Sequence, residues 1–362
     1  MDTTPTSKLR VQWYRCPVSR EDLSRLNRRS DFKGFLQTLG FLAILAITGT
    51  AAYYSPRFFS GWLRWPVVVL LVFIHGTFYQ FLLNGFHELV HDSVFKTRGL
   101  NRFFTRLFAF LGMFNHHYFW ASHTEHHKYT LHAPDDLEVV LPQRYTLSGY
   151  LRCAFFYRSY WGFKESLNWA RGRLFTEWQR TLFPESDPAK RRRLFYWSRF
   201  VLAGHAAIII VSIVMHWWML PVVTTFAPFI GNWLNFLCNQ TQHVGLRDNV
   251  PDFRLCCRTV IVNPFLQFLY WHMNYHTEHH MYAAVPCYNL GKLHKLIEAD
   301  MPRCPRGLIA AWKEIAGILA KQKIDPTYQY TAPVPTPGVR KSTSATAEAP
   351  ATDSSSPAIT PA

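Results

Sequence analysis

The 362 residues contain no CxxC pair, no GxGxxG turn and no CxxCH site. Those absences exclude a built-in dinucleotide fold and covalently attached haem, and they leave thiol-based metal binding without a framework. Seven cysteines are scattered along the chain, an odd number that does not suggest a set of disulfides and fits a reducing compartment. Acidic residues are also scarce: 23 Asp and Glu stand against 39 Lys and Arg, for a formal charge of +16. No nucleic-acid recognition motif or single basic domain accompanies that charge, so nucleic acid is not the expected partner. Attraction to an anionic membrane leaflet accounts for the charge instead, once apolar runs are found.

Such runs are present. The mean hydropathy of −0.06 averages very unequal parts. Four stretches are long and apolar enough to cross a bilayer, at residues 34–54, 65–86, 200–220 and 222–238. Short links carrying Pro56 and Pro221 make the four read as two helical hairpins. Aromatic residues reach 16%, which suits rings settling at lipid–water boundaries. The segment 1–33 holds eight Lys or Arg between Lys8 and Lys33, and the long segment from His87 to Arg199 is also basic. The loop between the first two runs has only Arg57 and Arg64. By the positive-inside rule, both termini and the long segment are expected to face the cytosol. The first apolar run starts late for a cleavable signal and reads as a retained span.

Two weaker apolar segments, Phe103 to Trp120 and Val260 to Met273, carry polar interruptions and are expected as interfacial or re-entrant helices. Each leads into a histidine cluster, a rough internal repeat. The part from 34 to 325 reads as one membrane domain, and 326–362 as a disordered tail rich in Pro, Ser, Thr and Ala.

Nine of the 17 histidines fall into a pattern. His87 and His91 lie in HELVHD. His123, His126 and His127 form HTEHH, and His276, His279 and His280 form a second HTEHH. His243 lies in NQTQHVG, just past the fourth apolar run. Residues three and four apart share a helix face, so each cluster aims its imidazoles at one point. Neutral imidazole ligates iron, zinc, copper and nickel, and nine such groups exceed what one ion can coordinate. Two metals fit the count. Ligating histidines need outer partners for their second ring nitrogen, and Asp92, Glu125, Asp135, Asp136 and Glu278 are near enough in sequence to serve.

HELVH also fits HExxH, in which two histidines hold zinc and Glu88 would act as base. That reading leaves both HTEHH clusters unexplained. A metal transporter would place ligands near the membrane midplane, where only the isolated His75, His205 and His216 occur.

The order HxxxH, HxxHH, HxxHH beside apolar runs resembles the membrane fatty acid desaturase and hydroxylase superfamily, over roughly Phe35 to Pro302. The resemblance implies an all-α integral membrane fold, with four transmembrane helices in two hairpins beneath a cytosolic helical cap carrying the histidine boxes. It implies two iron ions cycling between Fe2+ and Fe3+, held by the nine boxed histidines, and O2 as co-substrate. Asn239 and His243 match an Asn–His pair that joins the site in the animal acyl-CoA desaturases, the Asn acting through water. The implied reaction is desaturation of a fatty acyl or lipid-like chain, with hydroxylation or desaturation of a small amino-acid-derived metabolite as alternatives. The HPGG signature of fused haem domains is missing, so a separate electron donor of ferredoxin or cytochrome b5 type is expected. A bacterial inner membrane and an endoplasmic reticulum membrane both fit.

Overall fold

The computed structural model describes residues 11–143, 146–153 and 158–335. Of the expected tail, residues 336–362 lie outside the described residues, as do the first ten of the basic N-terminal segment. Among the described residues the protein is all helical, with two isolated bridges (Tyr14 to Asp252, Ile261 to Arg306) and no sheet.

Helix α1 (Arg20–Leu26) precedes α2 (Asp31–Phe58), α3 (Arg64–Tyr79) and α4 (Leu82–Val90). Then come α5 (Arg98–Leu111), α6 (His116–Tyr129), α7 (Leu147–Arg152), α8 (Arg158–Ala170) and α9 (Glu177–Leu182). The long α10 (Pro188–Val214) is followed by α11 (Met219–Val223), α12 (Trp233–Gln240) and α13 (Phe253–Cys256). The chain closes with α14 (Pro264–Leu269), α15 (His276–Met281), α16 (Cys287–Ile297) and α17 (Leu308–Ile324).

Three helical stretches are long and apolar enough to cross a membrane: Asp31–Phe58, Gly61–Val90 and Pro188–Val214. Large apolar residues such as Leu39, Ile47, Val69 and Ile210 are exposed on them, as suits a lipid-facing surface. The expected continuous helix at 222–238 is not formed. The segment breaks into α11, a 3-10 turn at Ala227–Phe229 and α12. Pro228 and Gly231 (φ +72°) interrupt it, and at Gly231 a Cβ would lie 2.7 Å from the Thr77 backbone nitrogen. The segment expected at 103–120 is likewise split between α5 and α6, and 260–273 carries only α14.

Polar groups inside the apolar layer tie the helices together. His75 on α3 meets Thr48 of α2 at 2.9 Å and the Val223 carbonyl of α11 at 2.9 Å. His205 on α10 bonds Thr225 and the Phe110 carbonyl. These histidines are occupied as packing groups, which suits an imidazole isolated in an apolar layer. Gly85 on α4 lets Phe108 and Trp271 close over the helix; a Cβ there would lie 2.5 and 2.6 Å from their rings.

The N-terminal residues lie across the helices that carry the histidines. Trp13 stacks on Phe253 at 4.1 Å between centroids and donates its indole N–H to the Lys128 carbonyl. Tyr14 bonds Asp300, and the Arg254 guanidinium lies over its ring. At the other end, Tyr330 donates its backbone N–H to Gly245, and Gln329 pairs with Asp248.

Candidate metal centre

The boxed histidines reach one place from four parts of the chain. His87 lies in the last turn of α4 and His91 caps it. His123, His126 and His127 are on α6, and His276, His279 and His280 are on α15. His243 follows α12 in a tight turn. Helix α6 is fixed at its start by Asn115, whose carbonyl oxygen accepts from the His117 and Tyr118 N–H groups. The same side chain donates to Leu194 and Ser198 of α10, tying the box helix to a membrane helix.

Two groups result. His87, His91, His123, His127 and His279 bring ring nitrogens within 4.8 Å of one another, and His126, His243, His276 and His280 form a second such group. Within them Nε2 atoms face each other: His87 to His123 at 2.7 Å, His123 to His127 at 3.0 Å and His127 to His279 at 3.1 Å. In the second group His276 meets His243 at 2.9 Å and His280 at 3.1 Å.

Five of the Nδ1 atoms have acceptors, whereas those of His276 and His279 are buried without a hydrogen-bond partner. His87 donates to Glu88 at 3.0 Å, His123 to Glu138 at 2.8 Å and His126 to Asp136 at 2.8 Å. His243 donates to the Cys256 carbonyl at 2.7 Å. Thr130 spends its proton on the His126 carbonyl, so its oxygen accepts from His280 Nδ1. With Nδ1 protonated, each of these rings presents an Nε2 lone pair inward. Lone pairs aimed at one another at such distances repel unless a positive centre lies between them. His91 Nε2 is also buried with no hydrogen-bond partner. The donor set therefore fits metal ions, with carboxylates, a carbonyl and a hydroxyl behind five of the ligands to hold their tautomers.

Burial reinforces this. Desolvation holds His91 and His243 down at about 3, and His123, His127, His276, His279 and His280 well below the ordinary imidazole value. Neutral rings are ready ligands. His126 is the exception: burial pulls it down, but the Asp136 carboxylate outweighs burial and raises it. Asp136 is correspondingly lowered, the nearby His126 and backbone N–H groups overcoming its own burial.

Of the carboxylates expected behind the histidines, Asp136 is in place. Asp92 sits in the left-handed region (φ +56°) just after α4, and its carbonyl accepts from Asn101. Its carboxylate and that of Asp135 make no described hydrogen bond to a box imidazole. Glu125 pairs with Lys128, and Glu278 turns away to His294 and Thr259. Glu88 and Glu138 fill the vacant roles. Glu88 follows His87 directly in the motif and was legible there; Glu138 reaches α6 from a loop, which no spacing rule reveals.

Asn239 lies in a ring of amides with Asn84 and Asn235, and no hydrogen bond joins it to an imidazole. His272 accepts from Gln267, and His132 donates to the Thr130 carbonyl, outside both groups. Trp271 is core packing against Phe41 and Phe108, while Tyr118 lines a cavity. That cavity, of about 780 Å³, opens beside His87, His243 and His276 and runs between aromatic walls that include Phe119, Phe236 and Trp169.

The described residues thus form a helical bundle with three stretches able to span a membrane and two imidazole groups that could each hold a metal ion. The sequence model described as fatty acid desaturase matches residues 61–310, more than half of the chain, and the protein belongs to that family. It is thus an oxidoreductase of the desaturase and hydroxylase type, in a membrane. No match was found among curated proteins.

Proposed function

We propose that the protein is an O2-dependent di-iron desaturase that introduces a C=C bond into a fatty acyl chain or lipid-like substrate. The observation that carries this reading is the division of nine imidazoles, seven buried and two half-buried, into two groups whose ring nitrogens converge. One iron would be held by His87, His91, His123, His127 and His279, the other by His126, His243, His276 and His280. Bound iron, cycling between Fe2+ and Fe3+ with O2, would supply the oxidising power to take hydrogen from an unactivated C–H bond.

The chain's own residues do the rest. Glu88, Glu138, Asp136 and the Cys256 carbonyl hold ring protons on Nδ1 and so keep Nε2 free. The cavity walls would align the chain beside the imidazoles. A single-zinc HExxH hydrolase is disfavoured, because Glu88 is engaged with His87 and the second group would have no role.

The membrane arrangement follows from charge. Both termini and the histidine-bearing helices face the cytosol, and the broken segment from α11 to α12 returns the chain across the layer as a fourth, interrupted span. Discontinuous helices are tolerated there because protein surrounds them: Ala227, Pro228 and Asn235 are buried. A separate ferredoxin or cytochrome b5 type donor supplies electrons, steered by the basic face.

The test compares extracts of cells expressing the wild type and His126→Ala, with lipids and polar metabolites separated before mass spectrometry. A lipid product lighter by two hydrogens supports desaturation. One heavier by a single oxygen selects hydroxylation, and a shift confined to the polar fraction selects a small metabolite. Identical products from both proteins would refute the assignment.

A further inference from the structure

We propose that the chamber beside the metal centre takes a substrate bearing an oxygen acceptor near the reacting carbon, seated on a ring formed by Asn84, Asn235 and Asn239. The inference rests on reading that chamber as the substrate site. A hydroxylated, keto or carbonyl-containing lipid-like chain would satisfy it; a plain methylene run would not.

The ring is closed. Asn235 Nδ2 donates to Asn84 Oδ1 at 2.7 Å, Asn84 Nδ2 to Asn239 Oδ1 at 3.1 Å, and Asn239 Nδ2 to Asn235 Oδ1 at 2.7 Å. Asn84 and Asn235 are 3% and 1% exposed. Uncharged amides this deep in a membrane protein are costly unless they serve a pathway or a ligand.

The direction of the ring is coupled to groups outside it. Gln242 Nε2 donates to the Tyr270 hydroxyl at 2.9 Å, and that hydroxyl donates to Asn239 Oδ1 at 3.2 Å. Asn239 Oδ1 therefore accepts twice, and turning its amide would require the Tyr270 hydroxyl and Gln242 to turn with it. Each amide has two N–H groups and spends one inside the ring, so each keeps one for another acceptor. All three amides line the cavity. The platform offers donors in excess, and an unused buried N–H is harder to tolerate than an unused carbonyl lone pair.

Its height relative to the metals follows from spacing. Asn84 precedes His87 by three residues on α4, and Asn239 precedes His243 by four. On α4 the Asn84 amide thus lies about one helical turn, roughly 5 Å along the axis, from His87. An oxygen held there stands a few bonds from the carbon presented to the metals.

The experiment uses the full-length protein in lipid nanodiscs, with octadecane and the set of its single-ketone isomers as probes. Competition between each ketone and deuterated octadecane is read by mass spectrometry of the bound fraction. Wild type, Tyr270→Phe and Asn235→Leu are compared in the same lipid, which cancels partitioning. The proposal expects one ketone position to bind about tenfold better than octadecane in the wild type. Asn235→Leu should lose most of that preference, and Tyr270→Phe, which frees the ring to reverse, should weaken it.

Octadecane binding as well as every ketone in the wild type would overturn the proposal, whether or not the variants fold. An undiminished ketone preference in both variants would overturn it too. Metal content is assayed on the same samples. Ketone preference in protein that binds no iron would uphold the amide platform while refuting the di-iron reading.

Discussion

Replacing Asp136 by Asn removes one charge from the centre while leaving the side-chain shape almost unchanged. Asp136 is 1% exposed, and three donors converge on it. Oδ2 accepts from His126 Nδ1 at 2.8 Å and from the Leu131 N–H at 2.8 Å, and Oδ1 from the Glu138 N–H at 2.9 Å. Asparagine has one acceptor oxygen, so its NH2 must point at one of these donors. A lost hydrogen bond to a charged group costs about 1.5–3 kcal/mol, and a buried N–H left without an acceptor about 1–3 kcal/mol more. The metal-free fold should lose roughly 3–5 kcal/mol in total. His126 would also lose the carboxylate that fixes its tautomer, and metal affinity should fall about 10- to 100-fold. Chelator titration followed by elemental analysis of the protein reads the affinity, and denaturant unfolding reads the stability. Asp135→Asn is the control, since that neighbour makes no described contact with the boxes. If Asp136→Asn keeps its metal against chelator as well as Asp135→Asn does, the proposed support of His126 is wrong.

Other outcomes follow from the same geometry. Acidification should destabilise the metal-free protein: the unfolded chain takes up protons below about pH 6.5, whereas His91 and His243 stay neutral down to about 3. The unfolded state then binds more protons, so stability falls with pH through that window. Stability that is flat or rising from neutral to mildly acid pH, followed by unfolding titration, would contradict this. Gly85→Ala should cost about 1–3 kcal/mol by overpacking Phe108 and Trp271, measured as a lower unfolding midpoint. Glu138→Gln should weaken iron retention while sparing membrane insertion, because Glu138 holds both His123 and Ser122; unchanged retention in the chelator titration would remove it from the site. Trp13→Ala should cost about 2 kcal/mol, less than a fully buried Trp, and should expose the face of Phe253 on which it stacks. Protease protection of the segment around Phe253 checks it.

The histidine groups were legible because helical spacing alone brings His123, His126 and His127 to one face, and repeats that geometry at His276, His279 and His280. Their division into one group of five and one of four was not, since it depends on how α4, α6 and α15 meet. The first and third apolar runs became long helices, shifted at their ends because Ser30 caps α2 early and α10 begins at Pro188, and the second became the consecutive helices α3 and α4. The run at 222–238 misled because average hydropathy ignores Pro228 and Gly231, which break the helix where it packs on Thr77. Asp136 was within sequence reach of His126. Glu138 and Thr130 act through loop geometry, and the amide ring joins residues more than 150 apart. Local pattern cannot reveal such long-range closure.

The central claim is that the two imidazole groups hold two iron ions. The direct measurement is elemental analysis with Mössbauer spectroscopy on detergent-purified protein from iron-supplied cells, alongside His91→Ala and His280→Ala. The account predicts two irons per chain in the wild type and loss from the corresponding group in each variant. One zinc per chain, retained in His280→Ala, would contradict it.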